Sequence, residues 1–213
     1  RLLYPMLQNA TDLDPHFIAA YSYGAVVMPA IDKEKAIEIA QKGIANNPNE
    51  WRLYQYLGYI YWKIGRYDLA ADTYERGSEI AGAPPFMRLM AASMKTEGGS
   101  RSTAREIFRQ MLADSDDPMV KLTAERRLKE LDSLDEREAI DTALADFRER
   151  TGRCASTLAE IAPSLLQVKL PAGNEFMVDR AGNLIDPTEA PYVLDKENCR
   201  VKLDAARTGL PVK

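Results

Sequence analysis

The stretch LGYIYWKIGRYDLAADTYERG, residues 57–77, decides how the rest of the chain is read. It sets the small residues Gly58, Ala70 and Gly77 among the bulky Leu57, Tyr61, Tyr67 and Tyr74, and Gly65-Arg66 interrupts it. A turn between two helical runs makes one hairpin, and recurrence would make it one unit of an array. Shifted back by 34 positions, Gly58 falls on Gly24, Ala70 on Ala36, Tyr74 on Ala40 and Gly77 on Gly43. Shifted forward by 34, the same residues fall on Ala92, Ala104, Phe108 and Met111. Three gap-free units follow, 17–50, 51–84 and 85–118. Small residues at matched positions let two antiparallel helices approach closely. One such hairpin cannot bury its apolar face, so the units are expected to stack.

Prolines punctuate the units: Pro15 after Asp14, Pro48 after Asn47, Pro84 and Pro85 after Ala83, and Pro118 after Asp117. Each is expected to start a helix, because Pro fits the first turn and Asp or Asn can cap it. Gly98-Gly99-Ser100 marks the turn of the third unit, and the first is looser, with Pro29-Ala30-Ile31-Asp32. Beyond 118, Val120, Ala124, Leu128 and Leu131 form one helical stripe, and Ile140, Ala143, Leu144 and Phe147 another. Ser133-x-x-Glu136 reads as a capping box between them and Gly152 as a stop. The expectation is an all-α array over residues 1–152, closed by a degenerate capping helix pair at 119–152.

From 153 to 213 the spacing disappears. Thr157-x-x-Glu160 can cap a short helix limited by Pro163. Phe176-Met177-Val178 and Tyr192-Val193-Leu194 read as strands, with turns at 179–183 and 195–198. This small α+β or hairpin appendage has too little apolar surface to stand alone, so it is expected to pack on helices. Cys154 and Cys199 flank its junction with the helices and are expected to lie close together. A disulfide between them and a pair of buried thiols are both open.

The residues Tyr54-x-x-Leu57-Gly58-x-x-Tyr61, Gly65-x-Tyr67 and Ala70-x-x-x-Tyr74 resemble the tetratricopeptide repeat, with Tyr54 in place of the usual Trp. The resemblance implies a right-handed α-solenoid whose first helices line a concave groove. A second resemblance covers about sixty residues, from Arg150-Thr151-Gly152-Arg153 through Leu158-Ala159-Glu160-Ile161 to Asp186-Pro187-x-x-x-Pro191-Tyr192. These are similar to the C-terminal part of type II secretion major pseudopilins, which implies a bacterial envelope protein. Pseudopilins usually carry Gly where this chain has Glu189, and their calcium-binding loop lies further downstream, so no calcium site is carried over. A plain hairpin with Pro-bounded turns fits the same residues.

Composition bounds the function. Over 213 residues the net charge is -4, hydrophobic residues make up 46% and charged ones 28%. With basic and acidic residues interspersed, no counterion-displacing surface for nucleic acid is expected. No run approaches the roughly 18 apolar residues of a membrane span. The chain opens at Arg1 rather than Met, as expected of a processed product that has lost an N-terminal signal or anchor. His16 is the only histidine and no nucleophile motif accompanies it, so it reads as a capping or surface residue. The cysteines lack C-x-x-C spacing, and no metal or cofactor is expected.

What remains is a binding surface. In the resembling family, positions 2, 5, 9, 12 and 13 of each unit face the groove. Here the resemblance implies partner-binding roles for Ile18, Tyr21 and Met28, for Arg52, Gln55, Tyr59, Trp62 and Lys63, and for Phe86 and Leu89. The groove is aromatic and apolar and lacks the Lys and Asn clamp that grips a terminal carboxylate in chaperone-binding members. The expected function is a non-catalytic scaffold that holds an apolar or aromatic peptide of a protein partner, in a bacterial envelope or secretion assembly. Two alternatives stay open: a groove filled by the chain's own appendage, and an enzyme or regulatory subunit with a site between array and appendage.

Overall fold

Gly58 and Gly77 lie where two helices come closest. A Cβ on Gly58 would stand 2.8 Å from the Tyr74 ring, and one on Gly77 would stand 2.6 Å from Cβ of Tyr54. Position 58 meets 74 and position 54 meets 77, so the two helices run antiparallel. One pair earlier, Gly24 approaches Ile39 and Gly43 approaches the Tyr21 ring in the same sense. In the second helices of the two pairs the close-contact glycines, Gly43 and Gly77, lie 34 residues apart.

The computed structural model describes residues 2–165 and 167–212. It divides into two compact units, Arg1–Asp116 and Asp117–Lys213. The first is helical throughout: α1 (Leu3–Leu13), then the pairs α2 (Ile18–Val27) with α3 (Lys33–Asn46), α4 (Trp51–Lys63) with α5 (Tyr67–Ser78), and α6 (Phe86–Glu97) with α7 (Arg101–Asp114). Each helix packs on the next, and α2 also touches α4. A single core of Ala, Ile, Leu, Met and Tyr runs from Leu7 to Met94. Helix α1, which carries no repeat signal, closes on α2 by setting Leu7 against Gly24.

Helix starts differ from expectation in an instructive way. Pro118 does open a helix, and the Asp117 carboxylate accepts the N–H of Met119 at 2.8 Å. Pro15 and Pro48 instead occupy the second position of tight turns, closed by Phe17 N–H to Asp14 C=O and Glu50 N–H to Asn47 C=O at 3.1 Å each. There the fixed φ of proline favours the turn. The helices begin three residues later, at Ile18 and Trp51.

The second unit begins with α8 (Pro118–Thr151), one continuous helix where a pair was expected over 119–152. No Gly or Pro interrupts it before Gly152, which ends it in the left-handed conformation with φ 72°. Ser133 and Glu136 form no capping box, because both are buried and serve another element. The Tyr192 hydroxyl donates to Glu136 Oε2 at 2.6 Å, and Ser133 Oγ lies 3.1 Å from the same hydroxyl.

After a 3₁₀ turn at Leu158–Glu160 and the short α9 (Ala162–Leu165), two antiparallel hairpins follow, β1 (Met177–Val178) with β2 (Leu184–Ile185) and β3 (Tyr192–Asp195) with β4 (Arg200–Leu203). Thr157 makes no side-chain cap, while Glu160 accepts the Ser156 N–H and the Arg153 guanidinium; Pro163 sits inside α9 rather than before it. The Asp179 and Asp195 carboxylates tie the two hairpin turns by accepting N–H groups of Ala181 and Asn183, and of Glu197 and Asn198. Ile140, Ala143 and Leu144 of α8 form one core with Ile161, Leu165, Leu184, Tyr192 and Val201. The helix supplies the apolar surface that the hairpins lack. Asp141 on α8 accepts the Val201 N–H at 2.7 Å, and a disulfide joins Cys154 to Cys199. No helix among the described residues is long and apolar enough to cross a membrane.

Candidate binding surface

Helix α4 has two faces. Leu53, Tyr54, Leu57, Gly58, Ile60 and Tyr61 are buried. Arg52, Gln55, Tyr59, Trp62 and Lys63 recur at helical spacing on the opposite side. Burial of the first set is ordinary core formation. Exposure of the second is not, because it leaves large rings in water: Tyr59 is 46% exposed and Trp62 38%.

These rings are arranged, not scattered. Tyr59 and Trp62 meet edge to face with centroids 5.7 Å apart, and the Lys63 ammonium lies 5.9 Å from the Trp62 centroid. At the other end of α4, Phe86 of α6, 39% exposed, meets Trp51 edge to face at 6.2 Å. The Arg52 guanidinium stacks 4.8 Å above Trp51 and pairs with Glu50 at 3.0 Å. Each end of the stripe therefore holds two rings and one cation. Edge-to-face rings and cations over rings hold each other in place, which lowers the entropy lost when a ligand docks. Beneath the stripe, burial pushes the Tyr74 phenol up to about 12, with Tyr59 adding to the effect.

The other residues inferred from the sequence separate into two groups. Gln55 on α4 and Leu89 on α6 are half-buried, as is Ile18 at the start of α2. Tyr21 and Met28 are core residues, fully enclosed, and offer nothing to a partner. The cause is one residue of register. Helices α2 and α4 match with a shift of 33: Ile18 with Trp51, Tyr21 with Tyr54, Ala25 with Gly58 and Met28 with Tyr61. The 3₁₀ turn at Met28–Ala30 makes this connection one residue shorter than the α4–α5 turn, so the 34-residue period returns where Asp32 caps α3. The exposed counterparts of Arg52, Tyr59 and Lys63 are thus Ala19 and Val26 on α2 and Ala30 in the 3₁₀ turn. The signal was present, since Pro15 and Pro48 are 33 apart. Trp51 was missed because it opens its helix one position ahead of the inferred groove.

His16 stays outside this surface. Its Nδ1 lies 3.0 Å from Asn47 Oδ1, linking two turns. Among the described residues no cluster of His, Cys, Asp or Glu has the arrangement to hold a metal ion. No protein-family model matches the chain, and no curated protein matches it in sequence.

Proposed function

We propose that this chain is a non-catalytic interaction scaffold of the bacterial envelope. Its first unit is an array of tetratricopeptide type that holds a peptide segment of a partner protein along the exposed stripe of α4. Its second unit is pseudopilin-like and connects that capture to a secretion or pilus-type assembly.

The observation that carries the reading is the exposure of Tyr59, Trp62 and Phe86 beside braced neighbours. Large rings left in water yet held in fixed geometry favour docking, because their desolvation supplies energy and their order is already established. Two features support the second part. Glu189 stands at φ 68°, a backbone conformation in which glycine, the residue pseudopilins usually carry there, is the natural occupant. The Cys154–Cys199 disulfide suits an oxidising compartment outside the cytoplasm.

Trp62→Ala tests the reading. In the full chain it is expected to weaken peptide capture by about 2 kcal/mol, as loss of an aromatic anchor does, while lowering stability by less than that. A random peptide library displayed on phage and selected on the wild-type protein supplies the ligands. Enrichment of the same peptides by the variant would remove the stripe from function.

A further inference from the structure

The stripe on α4 is positive as well as aromatic, and we infer from its charge pattern that its occupant is an extended peptide carrying two acidic residues, each next to an aromatic one, about five positions apart. The inference rests on the peptide-binding reading above and names the partner's chemistry.

Arg52 and Lys63 are the charged residues among positions 52, 55, 56, 59, 62 and 63, and no carboxylate interrupts them. This local positive charge stands on a chain of net charge -4. Lys63 makes no ion pair among the described residues and lies near the Trp62 ring alone. Arg52 is paired with Glu50, whose half-buried carboxylate also caps α4 by accepting the Arg52 N–H, while the guanidinium itself stays largely exposed and open to a second carboxylate from a ligand. Each cation adjoins an exposed ring, Lys63 by Trp62 and Arg52 by Phe86 across Trp51. A ligand that satisfies both therefore needs an aromatic and an acidic side chain together, twice.

Helix geometry fixes the spacing. Eleven residues at about 1.5 Å rise put the two cations roughly 16 Å apart along the axis. An extended peptide covers about 3.3 Å per residue, so its carboxylates must be about five residues apart. The start of α4 at Trp51 adds partial positive charge at the Arg52 end.

The probe is acetyl-Glu-Phe-Ser-Ser-Phe-Glu-amide, titrated into the full chain and followed by fluorescence anisotropy. At low ionic strength it should bind about tenfold more tightly than the peptide with Gln for Glu, as expected for two exposed ion pairs, and the advantage should vanish at high salt. Lys63→Gln should remove about threefold of the preference, and Lys63→Glu should cancel it against the peptide with Lys for Glu, because one end then favours Lys and the other still favours Glu. Moving both acids to adjacent positions should abolish the gain. Equal affinity for the Glu and Gln peptides, with both weakened by Trp62→Ala, would overturn the charge inference and leave the aromatic docking intact. Failure of every peptide to bind would overturn both. A Trp signal that changes with protein concentration alone would assign the face to a second copy of the chain, overturning the inference too.

Discussion

At Glu136, 2% of the residue is exposed, and desolvation holds its carboxyl up at about 7. The nearby Asp132, Asp186 and Asp135 push in the same direction, while the hydrogen bond donated by Tyr192 opposes them. The same carboxylate drives the Tyr192 phenol upward in turn, after burial itself. Because the folded state holds this proton more tightly than the unfolded chain, the neutral acid contributes fully below the ordinary carboxyl value of 4.5 and loses that contribution as pH rises through about 7. The gap corresponds to about 3 kcal/mol. Glu136→Gln keeps an acceptor for Tyr192 and removes the titration. Urea unfolding of the second unit should then be flatter between pH 4.5 and 7 than in the parent, with the variant more stable at pH 8. An unchanged pH profile would show that Glu136 ionises normally in the folded state.

At the level of the helix, the glycines carry the most precise expectation. Gly77 faces Cβ of Tyr54 and the methyl of Met87, and the first of these is fixed to the backbone and cannot turn aside. Gly77→Leu should cost about 2 to 3 kcal/mol by overpacking, read as a lower melting temperature of the first unit. Parent-like melting would mean that α4 and α5 are not this close. Such contacts were legible because a close approach constrains residue size, and Gly58, Gly77 and Ala70 announce it. The first strand of each hairpin and both turns were legible for a similar reason, since Asp179 and Asp195 are turn residues with a local mechanism, while the returning strands Leu184–Ile185 and Arg200–Leu203 were not read. The continuous α8 was not, since Ser133 and Glu136 have the types of a capping box and only a partner 56 positions away, Tyr192, shows that they serve the interior. Nor was the register of α2, where a constant period of 34 was imposed on a hairpin whose turn is one residue shorter. On the surface, Tyr59, Trp62 and Phe86 came from the groove positions that the repeat resemblance implies and are exposed, while Tyr21 and Met28 were misplaced by that single residue.

For the molecule as a whole, its two units give a test by selective weakening. The Cys154–Cys199 bridge closes a loop within the second unit, with 45 positions between its ends. Opening it by Cys199→Ser should cost about 4 kcal/mol in the chain-entropy account. Calorimetry should then show one transition moving down while the one belonging to the first unit stays. Two transitions falling together would mean that the units unfold as one. The Asp141 contact to Val201 has a different kind of consequence. It takes up a backbone donor on the side of β4 facing away from β3, where an open strand would otherwise invite another chain to add itself. A helix carboxylate used in this way keeps a small sheet soluble. It makes Asp141 a guard against strand addition by another chain as well as a support for the fold.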